Sequence, residues 1–281
     1  MSSPPGTAGD WRRSLTDLLV GATGVVAGVP ALPGPLDRFR RWCEGVSVVA
    51  ADRARFAEHW ERHNERALRR AGPLWVALGD SAAQGLGAWH PEGGYVSQAL
   101  AELRRRTGDP WRVVNWSRSG ATSADVLAEQ LPRLDTLDPA PDLVTIGTGT
   151  NDLMRYPLPR VRSLFRELID RAPESTVVLD VPVPYARWWG LGPVTAPLVV
   201  RLNTFIRAES ARRGLPVAAV STHFARPWQG RFGPDDFHPN QDGYRLWSEA
   251  VLAAAQFVPA VAGLPSPDGD EQRIARPGTA W

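Results

Sequence analysis

From residue 74 onward, short apolar runs alternate with longer amphipathic stretches. Several of the apolar runs are continuous, which is typical of strands that are buried on both faces. We predict strands at Leu74–Leu78, Arg112–Asn115, Leu143–Ile146, Thr176–Val181 and Val217–Val220. We predict helices at residues 93–106, 123–134, 159–171, 196–213 and 241–257. This alternation predicts right-handed β–α–β units and a parallel sheet with helices on both sides, an α/β fold.

The first 70 residues follow a different pattern. No glycine or proline occurs between Val46 and Ala71, and one set of apolar residues recurs there at helical spacing: Val49, Phe56, Trp60 and Ala67. The opposite face is rich in arginine and glutamate. We expect this helix to pack on its own domain, although residues 46–70 could instead contact another subunit or a membrane surface.

These patterns divide the chain into three parts. We predict an N-terminal extension at residues 1–70, an α/β domain at 71–260 and a tail at 261–281. Residues 1–10 are small and polar, and the tail is rich in proline and charge, so we expect both to be disordered.

Composition adds little about partners. The net charge of +2 gives no indication of nucleic-acid binding, and the single cysteine, Cys43, excludes an intrachain disulfide bond. Arg12 and Arg13 precede a weakly apolar stretch at residues 18–36, which resembles a twin-arginine export signal. Because proline and glycine interrupt that stretch, we expect a cytoplasmic protein, with export as the alternative.

Polar segments follow the first three predicted strands, at residues 79–81, 115–120 and 147–152. A fourth polar segment, which contains His238, precedes the last predicted helix. Ligands of open parallel sheets bind beyond the carboxyl ends of the strands. The sequence therefore predicts a site at that edge of the sheet.

Ser81 and His238 are the candidates for nucleophilic chemistry. A serine hydroxyl is a poor nucleophile until an imidazole accepts its proton, and a carboxylate orients that imidazole and stabilises its charged form. Asp235 lies three residues before His238, and the adjacent Asp236 is an alternative carboxylate.

Two further residues could stabilise the negative charge that develops in acyl transfer. The side chain of Asn151 can donate a hydrogen bond, and Gly120 lets a backbone N–H approach closely. Taken singly, each also has a plain structural interpretation, because Asn151 could cap a helix and Gly120 could be a turn residue.

Taken together and in order, these motifs resemble the SGNH-hydrolase superfamily, also called GDSL-type lipases and esterases. The four residues that give the superfamily its name match Ser81, Gly120, Asn151 and His238, and Asp235 completes the triad. The joint pattern is far more specific than any single motif.

The resemblance covers residues 74–257 and departs from the short family name at Ala82, where leucine is expected. It implies a flavodoxin-like fold of about five parallel strands in the order 2-1-3-4-5. It also implies ester hydrolysis through an acyl-enzyme, with oxyanion donors from Ser81, Gly120 and Asn151. Asp80 and Asp152 are expected to support the site. No metal or organic cofactor is implied, and the expected partner is a small-molecule ester.

Two alternatives remain open at this stage. An acyltransferase would differ only in the acceptor of the acyl group, and a catalytically silent module would use the N-terminal helix for binding. Several aromatic and histidine residues could line the cleft: Trp89, His90, Tyr185, Trp188 and Trp189. His59 and His63 are spaced as a metal-holding pair on a helix, although a solvated helix face is the better interpretation.

Overall fold

The computed structural model describes residues 35–182, 192–225 and 227–262. From residue 40 onward these residues form one compact unit. The predictions for residues 1–34, for the aromatic residues Tyr185, Trp188 and Trp189, and for the tail after residue 262 lie outside the described residues.

Five parallel strands form one sheet in the order β2-β1-β3-β4-β5, which confirms the predicted topology. The strands are β1 (Leu74–Gly79), β2 (Arg112–Asn115), β3 (Leu143–Gly147), β4 (Thr176–Leu179) and β5 (Val217–Ala218). The last two are shorter than predicted. After β4, the carboxylate of Asp180 accepts hydrogen bonds from the Ser221 backbone N–H (2.7 Å) and hydroxyl (2.6 Å), and a helical turn replaces the end of the predicted fifth strand.

Nine α-helical segments surround this sheet within the described ranges. They are α1 (Pro35–Leu68), α2 (Ser81–Gln84), α3 (Tyr95–Thr107), α4 (Ser123–Asp125), α5 (Thr150–Arg155), α6 (Leu158–Arg171), α7 (Gly192–Arg212), α8 (Val220–His223) and α9 (Gln241–Ala255). The single helix predicted at residues 123–134 is wrong. After α4 the chain forms a π-turn (Val126–Gln130) and a 3₁₀ turn (Leu131–Thr136). Pro132, which lacks a backbone N–H, lies in the 3₁₀ turn and cannot continue an α-helix.

Side chains of β1 alternate between two apolar cores, one on each face of the sheet. Trp75 and Ala77 pack with α3 and α9, whereas Val76 and Leu78 pack with α6 and α7. Such two-sided burial is the arrangement that the continuous apolar runs predict. Every helix in the described ranges is too short or too polar to cross a bilayer.

Helix α1 packs on the compact unit through its apolar stripe. Its four stripe residues are at most 4% exposed. The indole N–H of Trp60 donates to the Gln84 carbonyl (2.9 Å). The Asn64 side chain donates to the Asn115 carbonyl and accepts from the Asn115 N–H, both at 2.8 Å. The stripe is therefore buried within the domain itself.

Helix α1 also begins eleven residues before the predicted start at Val46. The predicted helix began at Val46, directly after Gly45, because glycine weakens helices. In the structure, a Cβ at Gly45 would lie 1.8 Å from the Pro234 carbonyl oxygen. Glycine is therefore required here by a close backbone contact, and the helix continues through it.

Deletion of residues 1–40 should leave a folded, active protein. From residue 40 onward the first buried residue of α1 is Gly45, so this deletion removes none of the contacts described above. We expect the free energy of unfolding to change by less than about 1 kcal/mol. Urea unfolding and ester turnover of the truncated chain test this, and loss of soluble protein would place residues 1–40 in the core.

Candidate active site

Ser81 is the first residue of α2, and only Asp80 separates it from the end of β1. The carboxylate of Asp80 caps this helix by accepting the Ala82 N–H at 2.9 Å. Gly85 ends the helix in the left-handed conformation, and the next residue, Leu86, donates its N–H to the Ser81 carbonyl (3.0 Å). This tight strand-to-helix turn holds Ser81 at the carboxyl edge of the sheet.

The backbone before Ser81 is held by a glutamine that the sequence analysis missed. Gln130 accepts the Gly79 N–H (2.8 Å) and donates to the Gly79 carbonyl (2.9 Å). Gly79 has φ 147°, and a Cβ there would lie 2.1 Å from the Gly147 carbonyl oxygen. Gln130 lies on the apolar stripe of the segment 123–134, and this position could have indicated its role. A side-chain amide that is buried needs hydrogen-bond partners.

His238 and Asp235 form a compact loop before α9. One carboxylate oxygen of Asp235 accepts the backbone N–H groups of Phe237 (3.1 Å) and His238 (3.0 Å). The other lies 2.6 Å from His238 Nδ1. The loop is closed by a hydrogen bond from the Gly233 N–H to the His238 carbonyl at 2.7 Å.

The second ring nitrogen of this histidine reaches the serine. His238 Nε2 lies 2.8 Å from Ser81 Oγ, and all three side chains are buried. Asp236, the alternative carboxylate, is exposed and has a left-handed φ of 52°. The geometry therefore selects Asp235.

Burial alone would raise the pKa of Asp235. The hydrogen bonds from His238 and its electrostatic attraction, together with the Phe237 N–H, outweigh that effect and hold the pKa of Asp235 below its usual value. Asp235 is therefore ionised at neutral pH and can stabilise an imidazolium.

Close backbone packing fixes the distance between the serine and the histidine. Gly87, in the loop after α2, has φ 95°. A Cβ there would lie 2.6 Å from His238 Cβ and 2.5 Å from the Pro239 carbonyl oxygen. A side chain at Gly87 would separate the Ser81 turn from the histidine loop.

Asn151 connects two of the predicted site segments. Its side-chain nitrogen donates to the Ala121 carbonyl (3.0 Å) and lies 3.4 Å from a carboxylate oxygen of Asp80. Gly120, adjacent to Ala121, adopts a left-handed φ of 79°. The structure therefore brings Asn151 and the Gly120 loop to the Ser81 turn.

The GDSL-like Lipase/Acylhydrolase family matches residues 77–246, which contain all of these residues. The chain belongs to the GDSL-like lipase/acylhydrolase family. It is a carboxylic ester hydrolase of the esterase or lipase type.

Several solved structures share the fold of this chain, and no curated protein matches it. TesA shares 25% identity over 68% of this chain and 99% of its own, with a TM-score of 0.54. LAE5, an alpha/beta hydrolase enzyme from the metagenome of Lake Arreo, Spain, shares 23% identity over 68% and 99%, with a TM-score of 0.52. Axe2, an acetylxylan esterase from Geobacillus stearothermophilus, shares 18% over 66% and 94%, with a TM-score of 0.51. At these identities, the similarity to LAE5 and Axe2 establishes a shared fold only.

The two acidic residues expected to support the site of this GDSL-type hydrolase have different surroundings. Asp152 is fully buried, and its carboxylate accepts the Ser123 N–H at 3.0 Å and the Thr148 hydroxyl at 3.3 Å. Asp152 therefore connects Thr148, in the loop after β3, to Ser123, in α4. Asp80 lies beside Ser81, and burial raises the pKa of Asp80 to about 6, although the Ala82 N–H opposes this shift.

Asp80→Asn should become relatively more stable as the pH rises. The folded-state pKa of about 6 lies above the ordinary value of about 3.9, so the unfolded chain ionises first and wild-type stability falls between these values. Asparagine keeps an oxygen for the Ala82 N–H but carries no charge. We expect this variant to gain on the order of 2–3 kcal/mol relative to wild type between pH 4 and pH 7.

Urea unfolding at both pH values measures this difference, with Asp109→Asn as a control at an exposed position. A difference between Asp80→Asn and wild type that does not vary with pH would contradict the raised pKa.

A cavity of about 250 Å³ lies beside the Ser81 turn, at the ends of β1, β3 and β4. Its walls combine apolar groups from Leu179, Pro182 and Trp247 with the carboxylates of Asp80 and Asp180. Trp89, which was expected to flank the cleft, is 78% exposed and is not part of these walls.

Proposed function

We propose that the chain hydrolyses carboxylic esters with Ser81 as nucleophile, His238 as general base and Asp235 as the orienting carboxylate. One observation carries this proposal. An unbroken hydrogen-bonded chain links Asp235 to His238 at 2.6 Å and His238 to Ser81 at 2.8 Å. Both distances are within the range that proton transfer requires. A silent binding module would have no need of this buried arrangement.

In the first half of the reaction, Ser81 Oγ attacks the ester carbonyl carbon while His238 Nε2 accepts the hydroxyl proton. The tetrahedral intermediate collapses when His238 returns that proton to the departing alcohol, which leaves an acyl group on Ser81. Water then attacks the acyl-enzyme with His238 as base, and the acid and free Ser81 are released.

The oxyanion donors are the backbone N–H groups of Ser81 and Gly120 and the side chain of Asn151. In the free enzyme the Asn151 amide makes a good hydrogen bond to Ala121 and a long one, 3.4 Å, to Asp80. A contact of that length is weak. We assign the Asn151 amide hydrogen that faces Asp80 as the donor to the oxyanion. Giving up so weak a contact with Asp80 costs little free energy.

Asn151→Ala should lower kcat by about 10²–10³-fold with a small effect on KM, because the lost donor acts mainly on the transition state. Steady-state kinetics measures both constants, and urea unfolding shows whether the contact to Ala121 also matters for stability. Met154→Ala, at an exposed position of the same helix, is the matched control. Unchanged kcat in folded Asn151→Ala would remove this residue from the oxyanion site.

Hydrolysis of p-nitrophenyl esters from acetate to palmitate tests the proposed function. Turnover would support it, and the chain-length profile would measure the acyl pocket. Adding an alcohol acceptor separates hydrolysis from acyl transfer, since a transferase would form a new ester in preference to the free acid. No turnover of any ester by folded protein would contradict the proposal.

A further inference from the structure

A second cavity, which is open to solvent, lies at the opposite ends of the strands from Ser81. Arg112, on its wall, begins β2 and pairs with Leu74, the first residue of β1, whereas Ser81 lies two residues beyond the end of β1 at Gly79. The cavity is formed where the end of α1, α3 and the start of β2 meet. Six residues line it: His63, Arg66, Ala67, Arg70, Arg104 and Arg112.

The four arginines of this cavity differ from several of their neighbours in their ion pairing. Among the residues that the structure describes, no carboxylate lies within ion-pair distance of any of them. Several neighbouring arginines are paired: Arg62 with Glu58, Arg69 with Glu65, and Arg105 and Arg106 with Glu102. Within the described residues, the four cavity arginines are therefore left uncompensated, whereas several arginines beside them are neutralised.

Two of the four guanidinium groups are held in place by backbone carbonyls. Arg104 Nε donates to the Trp111 carbonyl (2.6 Å), and Arg112 donates to the carbonyls of Gly72 (2.9 Å) and Ala67 (3.2 Å). These bonds use only some of the N–H donors of the Arg104 and Arg112 guanidinium groups. The remaining donors are therefore oriented before any ligand binds.

The electrostatics of the cavity agree with this arrangement. Burial, and then the charge of Arg70, lower the pKa of Arg104. Burial, and then the charges of His59, Arg66 and Arg104, lower the pKa of His63 to about 4. At neutral pH, therefore, the arginines alone supply the positive charge of the cavity.

We propose that this cavity binds a phosphate-bearing anion through Arg66, Arg70, Arg104 and Arg112. Guanidinium forks match phosphate oxygens in bidentate geometry, and a phosphate monoester carries enough charge to engage several of them, unlike a single carboxylate. Because Ser81 lies at the other ends of the strands, this is a binding site separate from the ester-cleaving residues.

Titration calorimetry of the full chain with inorganic phosphate tests this proposal. The variant is Arg66→Gln/Arg70→Gln, since both side chains are exposed and make no hydrogen bond to backbone among the described residues. The control is Arg62→Gln/Arg69→Gln, which removes the same charge from neighbouring positions in the sequence. We expect wild type and control to bind phosphate equally and the variant to bind at least about 10-fold more weakly. Equal binding by all three proteins, or none by wild type, would overturn the proposal.

Vesicle sedimentation distinguishes a free phosphate from a lipid headgroup. Sedimentation of wild type with phosphatidate vesicles but not with phosphatidylcholine vesicles, lost in Arg66→Gln/Arg70→Gln, would assign the site to a lipid. Phosphate binding without sedimentation would assign it to a soluble phosphate ester. In both cases the variant should keep wild-type turnover of p-nitrophenyl esters in the absence of phosphate. A loss of that turnover in folded protein would contradict the separation of the two sites.

Discussion

Replacing Ser81 with alanine is expected to lower kcat for ester hydrolysis by about 10⁴-fold or more while leaving the fold intact. The hydroxyl is the only group lost, and in the described structure it is hydrogen-bonded to His238. Removing the nucleophile of a serine hydrolase eliminates the acyl-enzyme route and leaves only the contributions of binding and the oxyanion donors.

Three further variants make this result specific to the proposed mechanism. His238→Ala should cause a loss of similar size, and the double variant should be little worse than either single one, because the two residues act as a unit. Ser47→Ala, an exposed serine on α1, should retain full activity. Turnover that survives Ser81→Ala would show that another residue is the nucleophile.

Replacing Trp60 with alanine should destabilise the protein by about 3–5 kcal/mol. Trp60 is 2% exposed, packs in the core that α3 and α9 share, and donates its indole N–H to the Gln84 carbonyl at 2.9 Å. The substitution leaves a cavity in the core and a carbonyl without this partner. Since Gln84 belongs to α2, which begins at Ser81, we also expect reduced activity near the unfolding midpoint.

Urea unfolding of two companion variants separates packing from hydrogen bonding. Trp60→Phe fills most of the volume without the indole N–H, so its loss of stability should be clearly smaller. Val48→Ala, an exposed position of α1, should change stability by less than about 0.5 kcal/mol. A loss below about 1 kcal/mol in Trp60→Ala would mean that α1 contributes little to the core.

Residues that belong to short local motifs could be predicted from the sequence. Asp235 and His238 are three positions apart in one loop, and Ser81 follows an apolar strand, so motif order located all three. The stripe of α1 was equally visible, because helical periodicity depends only on spacing. The structure brings these predicted groups within hydrogen-bond distance, and their catalytic roles remain a proposal.

Features that depend on distant segments could not be predicted in this way. Gln130 holds Gly79 from 51 positions away, and Gly45 is required by a contact with Pro234. The arginine cavity joins Arg66 and Arg112, which meet only when α1 packs beside β2. In each case the decisive contact is set by tertiary packing, which local propensity and motif spacing do not encode.

Labelling with a fluorophosphonate tests the central claim most directly, because this reagent forms a stable bond with an activated serine hydroxyl. After digestion, mass spectrometry of the peptides identifies the modified residue. We predict one stoichiometric label on Ser81 in wild type, and strongly slowed labelling in His238→Ala. A label on a different serine, or no label on folded protein that hydrolyses esters, would contradict the assignment of Ser81 as the nucleophile.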